Sequence, residues 1–229
     1  MRIHLRFLSI TSLLLVGCSV NPQKEVARKA AIAMTGSPET LTAIVSLTME
    51  GRGQDAGQQV SAFSRVISFR KERLRQEVTI GTRTLISGVD GKLAYHIESD
   101  TRPVRDSAEI AAAHIDQIYH HPVAFLLACF SGNPQLSGTR VVAGQDAMDL
   151  TVGGIVYSLF LDPKTNLPTR ILSNQGGHLS ESIFTGYRKV QGYTLPYQIV
   201  ETRDGSVAKW EITRQFPGPD LPGLTDPLR

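Results

Sequence analysis

Two cysteines, six histidines and a scatter of aspartates are the residues of this 229-residue sequence best suited to chemistry. His120 and His121 stand side by side, with His114 before them and Cys129 after, and metal ligation is what such a group would do. Adjacent residues diverge on a helix, however, and no acidic or cysteine ligand stands at the spacing zinc sites use. The expectation is a helix end with exposed histidines and no metal. Asp146, Asp149 and Asp162 fall in or beside strands and turns, and nothing pairs them as acid and base. Gly88-Val89-Asp90-Gly91-Lys92 echoes part of a phosphate-binding loop but reads better as a hairpin turn. There is no Gly-x-Ser-x-Gly elbow and no His-Glu-x-x-His. Cys129 lies in AFLLACF, surroundings that suit an unreactive buried thiol. Neither a catalytic residue nor a cofactor is expected. An enzyme would require His121, His178 or an acidic residue to converge inside a pocket.

Cys18 is different. It ends LLLVGC, a short apolar run behind Arg2, His4 and Arg6, and the run is far below the ~20 residues a membrane-spanning helix needs. A basic leader, a short apolar stretch and then small residues read as a secretory signal. Leu15-Val16-Gly17-Cys18 resembles the lipobox of bacterial lipoproteins. That resemblance implies lipidation of the Cys18 sulfur, cleavage after Gly17 and a bacterial membrane anchor at the new N-terminus. The expected organisation is a signal peptide over 1–17, a lipidated cysteine and spacer over 18–22, a folded domain over 23–216 and a Pro/Gly-rich tail over 217–229.

Removing the leader leaves 212 residues, enough for one domain with its own core. It also discards Arg2 and Arg6 and no acid, so the side-chain charge falls from +3 to +1. A nearly neutral body gives no electrostatic case for nucleic acid. With Cys18 acylated, Cys129 has no partner for a disulfide.

The elements that would position any site alternate in period. QKEVARKAAIAMTG reads as a helix capped by Gly36. From Leu41 the period becomes two, with Leu41, Ala43, Val45, Leu47 and Met49 on one face of a strand. GRGQDAGQQ reads as a polar turn, followed by the strands VSAFSRVISF, RLRQEVTI, TRTLISGV and KLAYHIE, the last two joined through Asp90-Gly91. Asp106 and Glu109 have the form of a capping box before a helix whose stripe is Ile110, Ala111, His114, Ile115 and Ile118. His121-Pro122 breaks that helix, and VAFLLACF starts another that is apolar nearly all round, so it must be buried or cover something apolar. The remainder is strands, with IVYSLFL apolar on both faces and so covered on both. Roughly ten strands around a helical insert predict an α+β fold, a curved antiparallel sheet with helices on one face.

In order along the chain, LTAIVSLTMEGRG, FRKERLRQEVTI, VDGKLAYHI, LFLDPKTNLPTRI and YRKVQGYTLPYQIVETRDG resemble the strands and hairpins of the LolA/LolB-like lipoprotein-sorting and lipid-binding superfamily, over roughly Val26 to Phe216. The resemblance implies an unclosed antiparallel β-barrel with helices over an apolar cavity that holds acyl chains. Ser19 after Cys18 is what an outer-membrane lipoprotein usually shows, which implies an anchor facing the periplasm. The receptor of that pathway carries a protruding loop with an apolar tip, whereas the matching turn here, GRGQDAGQQ, is polar. Arg65, Arg70 and Arg73 all compete for the family's lid-fastening arginine.

The expected cavity and lid residues are Val45 and Leu47, then Leu74, Val78 and Ile80, then Tyr95, Tyr157, Leu159 and Trp210 from the strands. Ile115, Phe125 and Leu126 join them from the helices. The function expected is a membrane-anchored lipoprotein that binds acyl chains of lipids or lipoproteins, or another hydrophobic ligand. The alternative is a lipoprotein sensor or scaffold that binds a protein partner with the same fold.

Overall fold

A computed structural model describes residues 22–99, 101–131, 135–142 and 145–218. The expected signal peptide, Cys18 and the tail from 219 lie outside the described residues, as does the side chain of Asp146.

Helix α1 (Pro22–Thr35) buries Ala27, Ala30, Ala31 and Met34, the i, i+3, i+4, i+7 stripe of a helix packed on one side. Gly36, at φ +82°, ends it in the left-handed conformation that glycine adopts without a Cβ penalty. Ser37 then caps a one-turn helix, α2 (Pro38–Thr42), by accepting the Thr40 N–H. That cap takes Leu41 into a helix, so the strand expected from Leu41 starts later, as β1 (Ser46–Asp55). Ser46, Leu47, Thr48 and Met49 are all buried, which puts protein on both faces of its first half.

From β1 the chain meanders outward through β2 (Gln58–Ser68), β3 (Arg73–Ile80), β4 (Arg83–Asp90), β5 (Leu93–Glu98) and β6 (Val104–Arg105). Helices α3 (Ala108–Tyr119) and α4 (Pro122–Ser131) then carry it to the opposite edge. It returns through β7 (Gln135–Val142), β8 (Gln145–Val152), β9 (Ile155–Leu161), β10 (Pro168–Gln175) and β11 (His178–Thr185). A small ribbon, β12 (Arg188–Val190) with β13 (Tyr193–Leu195), precedes β14 (Gln198–Arg203) and β15 (Ser206–Gly218). The last strand pairs with the first, so one sheet runs β6-β5-β4-β3-β2-β1-β15-β14-β11-β10-β9-β8-β7. Its thirteen strands exceed the ten expected, and with β6 and β7 as two separate edges the barrel is unclosed.

The GRGQDAGQQ segment is not a long turn. β1 continues through Asp55, and only Ala56 and Gly57 turn, both at positive φ. The register of β1 slips against both neighbours around Gly51, and such bulges bend a strand and raise its twist. A Cβ at Gly51 would stand 2.2 Å from the Glu211 carbonyl oxygen and 2.8 Å from the Phe63 ring. The bare backbone lets the Phe63 and Trp210 rings meet over the strand with centroids 4.8 Å apart.

The helices fill the concave side. α3 lies against β3, β4 and β5, and α4 is enclosed by α1, α2 and α3. Ser107, not Asp106, caps α3 by accepting the Ile110 N–H at 3.4 Å. Asp106 turns instead to His96 Nδ1, 2.7 Å away. As its pattern demands, β9 is covered on both sides, with Tyr157, Ser158, Leu159 and Phe160 buried in succession; Arg170 lies over the outward Phe160 ring at 5.2 Å. Val156 on the same outer face stays exposed. Asp90 and Leu93 pair across the expected tight hairpin, so Gly88 to Asp90 end β4 and Gly91 and Lys92 alone make the turn. Asp162 likewise organises its hairpin by accepting the Lys164 and Thr165 N–H groups.

Candidate functional site

Of the twelve apolar residues expected around a cavity, eight lie in one buried apolar cluster, and Ile80 and Ile115 pack against it. Leu47, Phe125 and Leu126 have no exposure at all, and Leu74, Val78, Tyr157, Leu159 and Trp210 are buried in the same cluster. Tyr95 is buried, while Val45, Ile80 and Ile115 are half-buried. None of the twelve borders the larger of the two cavities described below, and Trp210 alone borders the smaller.

The larger cavity, about 1010 Å³, opens along the other side of α4. Ala124, Leu127, Ala128 and Ser131, spaced i, i+3, i+4, i+7, form its wall with Phe130. Leu127 and Phe130 are only half-buried there, although the rest of α4 from Pro122 to Cys129 is buried. Facing them are Phe69, Arg70, Lys71 and Glu72 from the β2–β3 turn and Thr151, Val152 and Gly153 from the end of β8 and the turn after it. Ile118 and Tyr119 of α3 close one end. The Tyr119 hydroxyl donates to Glu72 at 2.6 Å and ties that turn to the helix. Burial, and then the Glu72 carboxylate, push the tyrosine pKa up. From α4 the sequence reading named Phe125 and Leu126, and it did not name Leu127 or Phe130, which border this cleft. The available signal was the lack of any polar face on a helix next to a loop.

Beneath α3 the chemistry is polar. Of the three competing arginines, Arg73 pairs with Asp90 at 2.6 Å and Arg70 is exposed at the cleft, whereas Arg65 is 3% exposed on the concave face. Its guanidinium grips Glu201 at 2.6 and 3.1 Å, and its Nε donates to Gln76 at 2.8 Å. Gln117 of α3 donates to the same Gln76 oxygen at 3.4 Å, so Arg65 reaches the helix through Gln76. Trp210 Nε1 donates to Glu201 at 2.7 Å. Burial opposes the charge of Glu201, but Arg65 and the indole outweigh it and hold its pKa below the ordinary glutamate value.

His120 and His121 are both buried, contrary to the exposed helix end expected. His120 links α3 to the sheet, with Nε2 2.8 Å from Ser173 Oγ and Nδ1 3.2 Å from Ser182 Oγ. Ser173 spends its hydrogen on Asp116 at 3.1 Å, which assigns the His120 proton to Nε2 and leaves Nδ1 to accept from Ser182. Burial lowers the His120 pKa, so the ring is neutral. His121 Nδ1 accepts the Val123 N–H at 3.3 Å and so caps α4; burial pushes its pKa down to about 3. A cavity of about 390 Å³ lies along this layer, bordered by His114, Asp116, His120, Ser182, Glu201 and Arg203. Acidic residues do converge here, but Asp116 and Glu201 are engaged in bonds that fasten α3 and cross-link strands. His178 pairs with Asp204 at the surface. Asp149 accepts from Ser158 at 2.6 Å, and burial raises the Cys129 thiol to about 12. Among the described residues no histidine, cysteine and carboxylate group is arranged to hold a metal, and no helix is long and apolar enough to cross a membrane.

The sequence matches no protein-family model and no curated protein. The structure is similar to a LolA superfamily protein from Nitrosomonas europaea, with a TM-score of 0.50 at 14% identity over 90% of this chain and 99% of that one. More distant likenesses are a DUF1329 family protein from Desulfovibrio piger and the lipoprotein LppX from Mycobacterium tuberculosis. The first has a TM-score of 0.48 at 11% identity over 88% and 95% of the two chains. The second has 0.34 at 12% over 88% and 99%. Identities this low speak to architecture alone. The chain has a LolA-like fold.

Proposed function

We propose that this protein is a membrane-anchored lipoprotein that binds acyl chains or another hydrophobic ligand, in lipoprotein or lipid trafficking within the bacterial cell envelope. The observation that carries the reading is the outer stripe of α4. A surface helix ordinarily turns a polar face outward, but here Leu127 and Phe130 face an open cleft of about 1010 Å³. Ligand sites are concave, mostly apolar and about 300–1,000 Å³ in size. Each methylene that enters contributes about 0.8 kcal/mol. Movement of α3, which both packs Ala111 and Ile118 into the core and hydrogen-bonds to the sheet, regulates access. Cys18, acylated at the head of the domain, keeps the cleft close to lipid, since two or more chains hold a membrane where one binds only marginally. The protein acts by binding, without catalysis.

The test uses the domain from Ser19 onward, purified without strong detergent. Organic extraction and mass spectrometry should find bound lipid, which a fluorescent fatty acid displaces. Leu127→Asp should weaken that displacement while the protein stays folded. An empty protein that ignores the probe sinks the proposal. That outcome would favour a second reading, supported by the solid packing around Phe125 and Leu126: a lipoprotein sensor or scaffold that binds a protein partner with this fold.

A further inference from the structure

The charged groups at the cleft divide unevenly. Its lining holds two cations, Arg70 and Lys71, and one carboxylate, Glu72. Tyr119 already donates to that carboxylate at 2.6 Å. Arg70 is exposed and makes no ion pair or hydrogen bond among the described residues. Elsewhere in this fold arginines are spent inside the protein: Arg65 on Glu201, Arg73 on Asp90 and Arg170 on Glu181. Arg70 follows directly on Phe69, which lines the same cleft as Leu127 and Phe130. A cleft with Leu127 and Phe130 along one wall and an uncommitted guanidinium at its rim has the polarity of an amphiphile with a negative head.

Resting on the proposed function, we infer that the cleft selects acyl amphiphiles with an anionic oxygen head, a carboxylate or a phosphate. The chain lies along the outer stripe of α4 and the head meets the β2–β3 turn. Guanidinium suits this role because its planar fork donates two parallel hydrogen bonds to either group. Neutral acyl lipids of the same length bury the same methylenes but leave Arg70 without its partner. The selectivity therefore resides in Arg70, and the affinity resides in the chain.

The experiment uses the full chain in isolated envelope membranes at mildly alkaline pH, where fatty carboxylates are ionised. Diazirine-bearing hexadecanoic acid, hexadecanol, lysophosphatidic acid and monoacylglycerol are added, each quantified in the membrane, and crosslinks are mapped by mass spectrometry. At equal membrane concentration the two anionic probes should label the Leu127–Phe130 peptide roughly tenfold more than their neutral counterparts. Arg70→Glu with Lys71→Glu, on an exposed turn, should abolish that preference and leave labelling by the alcohol unchanged. A preference shown by only one anionic probe supports the inference and names the head as carboxylate or phosphate. Equal labelling by anionic and neutral probes overturns it while the proposed function stands, and so does a preference that survives the charge reversal. No labelling of the cleft by any probe overturns the proposed function itself.

Discussion

Arg65 and Glu201 close a two-point ion pair at 2.6 and 3.1 Å across 136 positions of sequence, under the helix that covers the sheet. Because Arg65 is buried, removing one partner strands the other. Arg65→Met should destabilise the protein by about 3–5 kcal/mol, the usual cost of breaking a buried pair. The double variant with Glu201→Gln should recover part of that loss, which a double-mutant cycle by chemical denaturation measures. The Glu201 pKa is lowered on folding, so its contribution is complete above the unfolded value of about 4.3 and fades as pH falls through the folded one.

His120 and His121 make a second prediction about pH. Burial lowers both pKa values, so below about 6.5 the unfolded chain takes up protons that the folded chain refuses. Stability should be full above that pH and fall as the pH drops, by up to about 1.4 kcal/mol per pH unit for each histidine. His121→Asn keeps an acceptor for the Val123 N–H at the start of α4. Denaturation midpoints for that variant should show one histidine's share of the slope removed between pH 6.5 and about 3. An unchanged slope would mean that His121 titrates freely in the folded protein.

Gly53 is a test of the strand that replaced the expected turn. Its Cβ would lie 2.0 Å from the Lys209 carbonyl oxygen and 2.9 Å from the Trp210 ring. Gly53→Ala should cost about 1–3 kcal/mol, as overpacking does, and disturb the tryptophan near-ultraviolet signal. Gly57→Ala has open space around its Cβ but a φ of +81°, so it should cost about 1 kcal/mol from backbone strain with the Trp210 signal intact.

Phe125 and Leu127 should separate packing from binding. Phe125 is wholly buried, and Phe125→Ala should cost about 3–5 kcal/mol whatever ligand is present. Leu127, half-buried on the cleft, should cost less in the empty protein when changed to Ser, and should lower affinity for a fluorescent fatty acid.

The anchor has its own test. Wild-type protein should sediment with membranes, and Cys18→Ala should shift to the soluble fraction. Retention of the variant in the membrane fraction would sink the lipobox reading.

Much of the fold was legible because it is written locally. The alternation of RLRQEVTI became β3, Asp90-Gly91 and Asp204-Gly205 each mark a tight hairpin, and His121-Pro122 parted two helices. Local signals also misled where two of them competed. Leu41 fits the strand period, but the Ser37-Pro38 cap acts first and winds it into α2. Asp106 and Ser107 are both good caps, and the neighbouring His96 engaged the first. The glycines of GRGQD looked like turn residues, although they are needed for the close approach of Phe63 and Trp210.

The sequence by itself determined the periods, many of the turns, the low net charge and an apolar helix that had to lie against apolar matter. The tertiary structure alone decided which side of that helix stays uncovered, which of three arginines is buried and that both histidines are neutral. Periodicity is set by neighbours along the chain, whereas burial and the partner of a charge are set by residues far from it in sequence. Arg65 and Glu201, or His120 and Ser173, meet only after the sheet has curled around α3 and α4.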